Sequence, residues 1–235
     1  MTANDIGNDI VDEQQAKTER SRLVDHFKRV YSIIAGLAIT EACKNLWPFS
    51  PASIGDYRLW MFAAFFITIV PIFHGGDRSL DRKYIDHKPE SGWQRASYIW
   101  DVYMLLITAI FFVGLAEAIP KTPTPAPKPP ELAYFYDFMA MLFLFDAGVL
   151  WVDYAKSNVD RRRKLANSYK KWIPINLILC IFCAGAAYVI DPTGPVAGFF
   201  GMSPSTPIAV SIVVFLAAAA RTFADYWFGD DFMFP

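Results

Sequence analysis

A chain of 235 residues that is 54% hydrophobic and 16% aromatic but only 19% charged departs from soluble domains, in which about a quarter of residues are charged. Its apolar segments are apolar all round, with no water-facing stripe, which excludes a soluble helical bundle and points to an all-α, polytopic membrane helix bundle. The formal net charge of −1 conceals an uneven distribution, because Lys and Arg fall in alternate connections between the apolar runs.

The chain opens on a polar stretch from Met1 to about Arg20 with several Asp and Glu, expected to be neither a signal peptide nor a transit peptide. From about Glu13 the pattern turns helical: Leu23, Val24, Phe27, Val30 and Tyr31 recur at three- and four-residue steps, predicting a helix that runs into the first span. Residues 1–26 form the expected cytoplasmic tail and amphipathic helix, 27–226 the membrane domain and 227–235 a C-terminal cytoplasmic tail.

Six spans are predicted, at about 27–47, 52–73, 97–119, 132–153, 172–190 and 206–226, each long enough to cross a bilayer. Pro174 and Pro207 are placed at the starts of the last two, where a missing N–H donor is harmless. Pro71 lies near the end of the second, followed by His74, Gly75 and Gly76, and this helix end is read as a bend with His74 as a candidate pH-sensitive group.

Loop charge orients the spans. Lys17, Arg20, Arg22, Lys28 and Arg29 precede the first; Arg78, Arg82, Lys83, Lys88 and Arg95 fall between the second and third; and Lys156, Arg161, Arg162, Arg163, Lys164, Lys170 and Lys171 fall between the fourth and fifth. The other connections are nearly bare, so the basic ends are assigned to the cytoplasm and both termini inside, in the inner (plasma) membrane. The outer connection PKTPTPAPKPP at 120–130 reads as a polyproline strut. The glycine- and proline-rich segment DPTGPVAGFFGMSPST before the sixth span carries Phe199 and Phe200 into the interface. A faint repeat, AGLAITEA against VGLAEA and VDY against ADY, is compatible with three tandem helical hairpins.

Ionizable residues inside spans are the functional candidates, since each costs a few kcal/mol at the bilayer centre unless paired or hydrated. Toward the outside lie Glu41, Lys44, Glu117 and Asp137; toward the cytoplasm lie His74, Asp101, Asp146, Asp153, Arg221 and Asp225. Glu41 and Lys44 are spaced to pair on one helix face. Asp146 and Asp153, seven residues apart, share a face of the fourth span, and with Asp101 they are the candidates for lining a proton or cation route. The structural alternative is that Asp101 and Asp146 bond to neighbouring helices or pair with Arg221. Arg161, Arg162, Arg163 and Lys164 are assigned to anionic lipid or to a cytoplasmic partner.

Cys43, Cys180 and Cys183 fall in or beside apolar runs and make no disulfide framework or metal set. No phosphate-cradling loop, dinucleotide fingerprint, HExxH or nucleophile elbow occurs, so no enzyme, no cofactor and no nucleic-acid partner is expected. The reading is an oligomeric proton or cation channel, or small transporter, with an acidic inner layer. The alternative is a non-conducting membrane scaffold or sensor that recruits a cytoplasmic partner, as in a bacterial defence or signalling system.

Overall fold

The computed structural model of the protein describes residues 3–48, 54–85, 94–121, 129–156, 159–190 and 206–228, and among them six α-helices. They are α1 (Ala3–Leu46), α2 (Tyr57–Tyr84), α3 (Gln94–Glu117), α4 (Pro129–Lys156), α5 (Val159–Ile190) and α6 (Thr206–Phe228), and no strand occurs among the described residues. Five of them, α2 to α6, are long and apolar enough to cross a membrane, and on that property the chain is a multi-pass membrane protein. The apolar half of α1 is interrupted by Glu41, Lys44 and Asn45, which keeps it out of that set.

Neighbour relations close into a ring. Each helix packs on the next in the order α1, α3, α4, α5, α6, α2 and back to α1, with α2 and α3 also touching. The most extensive contacts are α4 on α5, α2 on α6 and α1 on α3, so the tightest pairings do not follow the hairpins expected from the faint repeat. The interior is filled by large rings: Tyr31, Phe65, Phe112, Phe135, Tyr136 and Phe143 are all essentially inaccessible. Ala35, Ala38 and Ala42 turn one small-residue face of α1 into the core, and small residues let helix backbones approach closely where lipid supplies no hydrophobic drive for helix pairing. On the outside, Ile33 and Leu37 of α1, Ile110 of α3, Ile178 and Ile181 of α5 and Leu216 of α6 are each more than half exposed. Apolar side chains facing outward around the whole ring suit contact with acyl chains.

The helices run further than the hydropathy pattern indicates. α1 starts at Ala3, ahead of the apolar periodicity, because residues up to 22 are rich in Glu, Gln, Lys and Arg, which favour helix without an apolar face. α5 starts at Val159, so the basic run is helical and Pro174 lies inside the helix rather than at its start. α2 continues through His74, Gly75 and Gly76 to Tyr84, so the helix does not end where the glycines fall. Ion pairs hold that extension: Lys28 of α1 lies 3.0 Å from Asp77 and 2.8 Å from Asp81.

Proline within α2 has a local remedy. Pro71 has no N–H to give the carbonyl of Ile67 four residues earlier, and Thr222 of α6 donates its hydroxyl to that carbonyl at 2.8 Å. The kink-prone turn is thus repaired by a neighbouring helix. Thr222→Val should lower stability by about 1 kcal/mol, the scale of an interhelical hydrogen bond in a membrane, in an unfolding titration of the detergent-solubilised protein. In a Pro71→Ala background, where the alanine N–H satisfies Ile67, the same change should cost almost nothing. An equal loss in both backgrounds would show that the bond does not answer the proline.

Candidate functional site

The polar side chains that an apolar helix must carry inward collect into three clusters toward the end of the bundle where α2 finishes, α3 begins and α4 finishes. The deepest joins α4, α5 and α6. Asp146 accepts a hydrogen bond from the Asn176 amide at 2.6 Å. Arg221 donates from Nε to the Asn176 carbonyl oxygen at 3.2 Å, and its Nη2 lies 3.5 Å from Asp146. On the same face, one turn along α6, Asp225 pairs with Arg221 Nη1 at 2.9 Å, as the i, i+4 spacing permits. The guanidinium also lies 5.7 Å from the ring centre of Phe143, within cation–π range. Arg221 is 6% exposed at its side chain, so one buried guanidinium serves two carboxylates.

A second cluster gathers on Lys83 of α2, 2.8 Å from Asp153 of α4 and 3.2 Å from Asp101 of α3. Tyr84 adds its hydroxyl to Asp101 at 2.7 Å. The third is Lys28 with Asp77 and Asp81, between α1 and α2.

The opposite end has its own junction. Arg58, at the start of α2, is held by Asp56 at 2.6 Å and reaches the Lys121 carbonyl at 3.1 Å. The Asn45 amide of α1 donates to the Ala116 carbonyl of α3 at 3.0 Å. Arg58 Nη1 also donates to the Asn45 carbonyl at 3.4 Å, so these side chains tie together the C-terminal ends of α1 and α3, where carbonyls lack helical partners. Glu41 lies here, 3.3 Å from Lys44 and 3.7 Å from Lys121. Both lysines are well exposed, so these pairs contribute little.

The sequence candidates are therefore distributed, not assembled into one line of acids. Asp146 and Asp153 do lie seven residues apart on α4, about 10 Å along the axis, but each turns to different helices. Asp101 shares Lys83 with Asp153 and stands apart from Asp146. Arg221 pairs with Asp146, as the structural alternative has it, and not with Asp101. His74 sits within α2, its ring 6.3 Å from that of Tyr226. Arg161, Arg162, Arg163 and Lys164 lie on the helical backbone of α5, with their side chains outside the described residues. Cys180 and Cys183 are free thiols, Cys183 buried in the core and Cys180 half-buried against it. Among the described residues no group of three or more His, Cys, Asp or Glu is placed to hold a metal ion.

Asn176 is a lone amide in an apolar run, and that isolation is the signal that marks it. Asp77, Asp81, Lys83 and Tyr84 follow the stretch that hydropathy assigns to the second span, and they join the clusters because α2 runs on to Tyr84. No family model, curated protein or solved structure matches this chain.

Removing the shared cation isolates two buried anions. Arg221→Met should destabilise the protein by about 3–5 kcal/mol, as for other buried pairs broken on one side. Adding Asp146→Asn and Asp225→Asn should restore most of that loss in the same unfolding assay. Failure of the neutral triple variant to recover would mean that packing of the arginine stem, rather than charge, holds the cluster.

Proposed function

We propose that this protein moves protons or small cations across a membrane, and that the Arg221 cluster is its ion-handling centre. One observation carries the reading: in the apolar interior, Asp146 and Asp225 share the single guanidinium of Arg221, leaving one negative charge that a proton or monovalent cation would neutralise. Ionizable groups at such depth are costly and by default functional. The Lys83 and Lys28 clusters extend the acidic layer toward the basic end of the bundle.

In this reading α1 is the sixth span. Ile33 and Leu37, both 62% exposed, give it a lipid-facing side, and Asn45 and Arg58 bind its end to those of α2 and α3. The positive-inside rule puts the basic end, with both termini, in the cytoplasm of a cell whose inner membrane holds the protein. Six helices enclose little space, so the working unit is a homo-oligomer, and the basic start of α5 rests on anionic headgroups. No step calls for an enzyme.

Reconstitution into liposomes loaded with a pH- or cation-sensitive dye tests this. Wild-type protein should give flux above protein-free vesicles, and Asp146→Asn should lower it by about tenfold or more while oligomer size and melting behaviour stay as in wild type. A properly assembled Asp146→Asn protein with unchanged flux would refute the assignment.

A second reading is favoured by one feature: α1 begins at Ala3 and exposes Gln14, Gln15, Lys17, Thr18 and Glu19, a polar helix free for a cytoplasmic partner. A non-conducting scaffold or sensor of that kind would co-purify its partner and give no flux, and neutralising Arg161 to Lys164 would abolish the capture.

A further inference from the structure

Each of the three carboxylate clusters is built on a cation that the protein itself supplies. Arg221 contacts Asp146 through Nη2 at 3.5 Å and Asp225 through Nη1 at 2.9 Å. Lys83 lies 2.8 Å from Asp153 and 3.2 Å from Asp101, and Lys28 lies 2.8 Å from Asp81 and 3.0 Å from Asp77. In every case the seat from which an incoming metal cation would reach oxygens of both acids is already taken by an ammonium or guanidinium group.

At the Arg221 cluster the closure goes further, and Asn176 completes it. A carboxylate only accepts hydrogen bonds and a guanidinium only donates them, so the amide held by both has one orientation. Its N–H donates to Asp146 Oδ2 at 2.6 Å, and its carbonyl oxygen accepts from Arg221 Nε at 3.2 Å. Asp146 Oδ2 therefore faces two N–H groups, one from Asn176 and one from Arg221. The amide oxygen, a neutral ligand that could help replace a cation's water, is taken by the guanidinium. An alkali cation needs several oxygens in place of its hydration shell, and here it would meet N–H dipoles of the wrong sign. A proton needs one lone pair, and Asp146 Oδ1 accepts no hydrogen bond among the described residues. Asp146 is also the accessible member of the cluster, its side chain 25% exposed against 6% for Arg221.

Resting on the ion-handling reading above and narrowing it, we propose that the ion is the proton rather than an alkali cation, and that Asn176 is the residue that sets this choice. A hydronium ion gives its proton to Asp146 Oδ1 and becomes water, so one O–H bond forms as another breaks. Arg221 stays with Asp225, and the cluster passes from one net negative charge to none. Return of the proton to a water molecule restores the carboxylate. No electron moves and no other reactant is consumed.

Full-length protein in liposomes tests this. Proton entry is read with a pH-sensitive dye under a K+ and valinomycin voltage, and Na+ and K+ entry with cation-sensitive dyes in vesicles without the ionophore. The wild type should carry protons above the level of protein-free vesicles and bring in Na+ and K+ only at that level. Alkali-cation entry by the wild type would overturn the inference, and where Asp146→Asn lowers that entry the ion-handling centre stands. A wild type that carries none of these ions would overturn both. Asn176→Asp withdraws the N–H from Asp146 Oδ2 and adds a carboxylate, so the assembled variant should admit Na+ or K+ about tenfold or more above the protein-free level, the scale of one hydrogen bond to a charged group. Assembled Asn176→Asp that still excludes both cations would overturn the role of Asn176. Because the ion panel is read on the wild-type protein, the choice of ion is decided even where that variant does not assemble.

Discussion

A charged side chain in a helix surrounded by acyl chains has no solvent to turn to, and that constraint shapes the whole bundle. Asp146 on α4, Asn176 on α5 and Arg221 on α6 each satisfy another, and none could be buried alone at tolerable cost. Because lipid offers little drive for one apolar helix to prefer another, these contacts select partners in a way that Leu, Ile and Phe cannot. Lys83 likewise joins α2 to α3 and α4, and Lys28 joins α1 to α2. Each polar cluster is thus a joint between helices as well as a reservoir of charge.

Joint and reservoir are not competing descriptions of the same atoms. A guanidinium shared between two carboxylates ties α6 to α4, while the two acids outnumber the one cation that holds them. The same economy appears at Thr222, which sits next to Arg221 in sequence and closes the carbonyl that Pro71 leaves open in α2. Neighbouring residues of α6 therefore address opposite sides of the ring, one toward α4 and α5, the other toward α2.

Much of the fold was legible from residue type alone. Long runs apolar on every side have one physical solution, and five of them are helices long and apolar enough to cross a membrane. What was not legible were helix ends and partners. Gly75 and Gly76 signal a break when judged by local propensity, but Lys28 gripping Asp77 and Asp81 stabilises the helix beyond them, and such a tertiary override has no local signature. Asp146 stood out because an acid in an apolar run is conspicuous. Its choice of Asn176 and Arg221 depends on the order of helices around the ring, which hydropathy does not encode. Tyr31 counts in the hydropathy pattern only as one more apolar position of a helical stripe, since a phenol and a phenyl ring contribute alike to it.

α1 is continuous from Ala3 to Leu46, 44 residues without interruption and about 66 Å of rod at 1.5 Å per residue. Its polar part and its packed part are therefore one rigid body, with the fulcrum near Lys28 where α2 takes hold. A torque applied to the free arm cannot be absorbed by an intervening loop. It would be carried straight to Lys28 and, through the ion pairs with Asp77 and Asp81, to the last turns of α2.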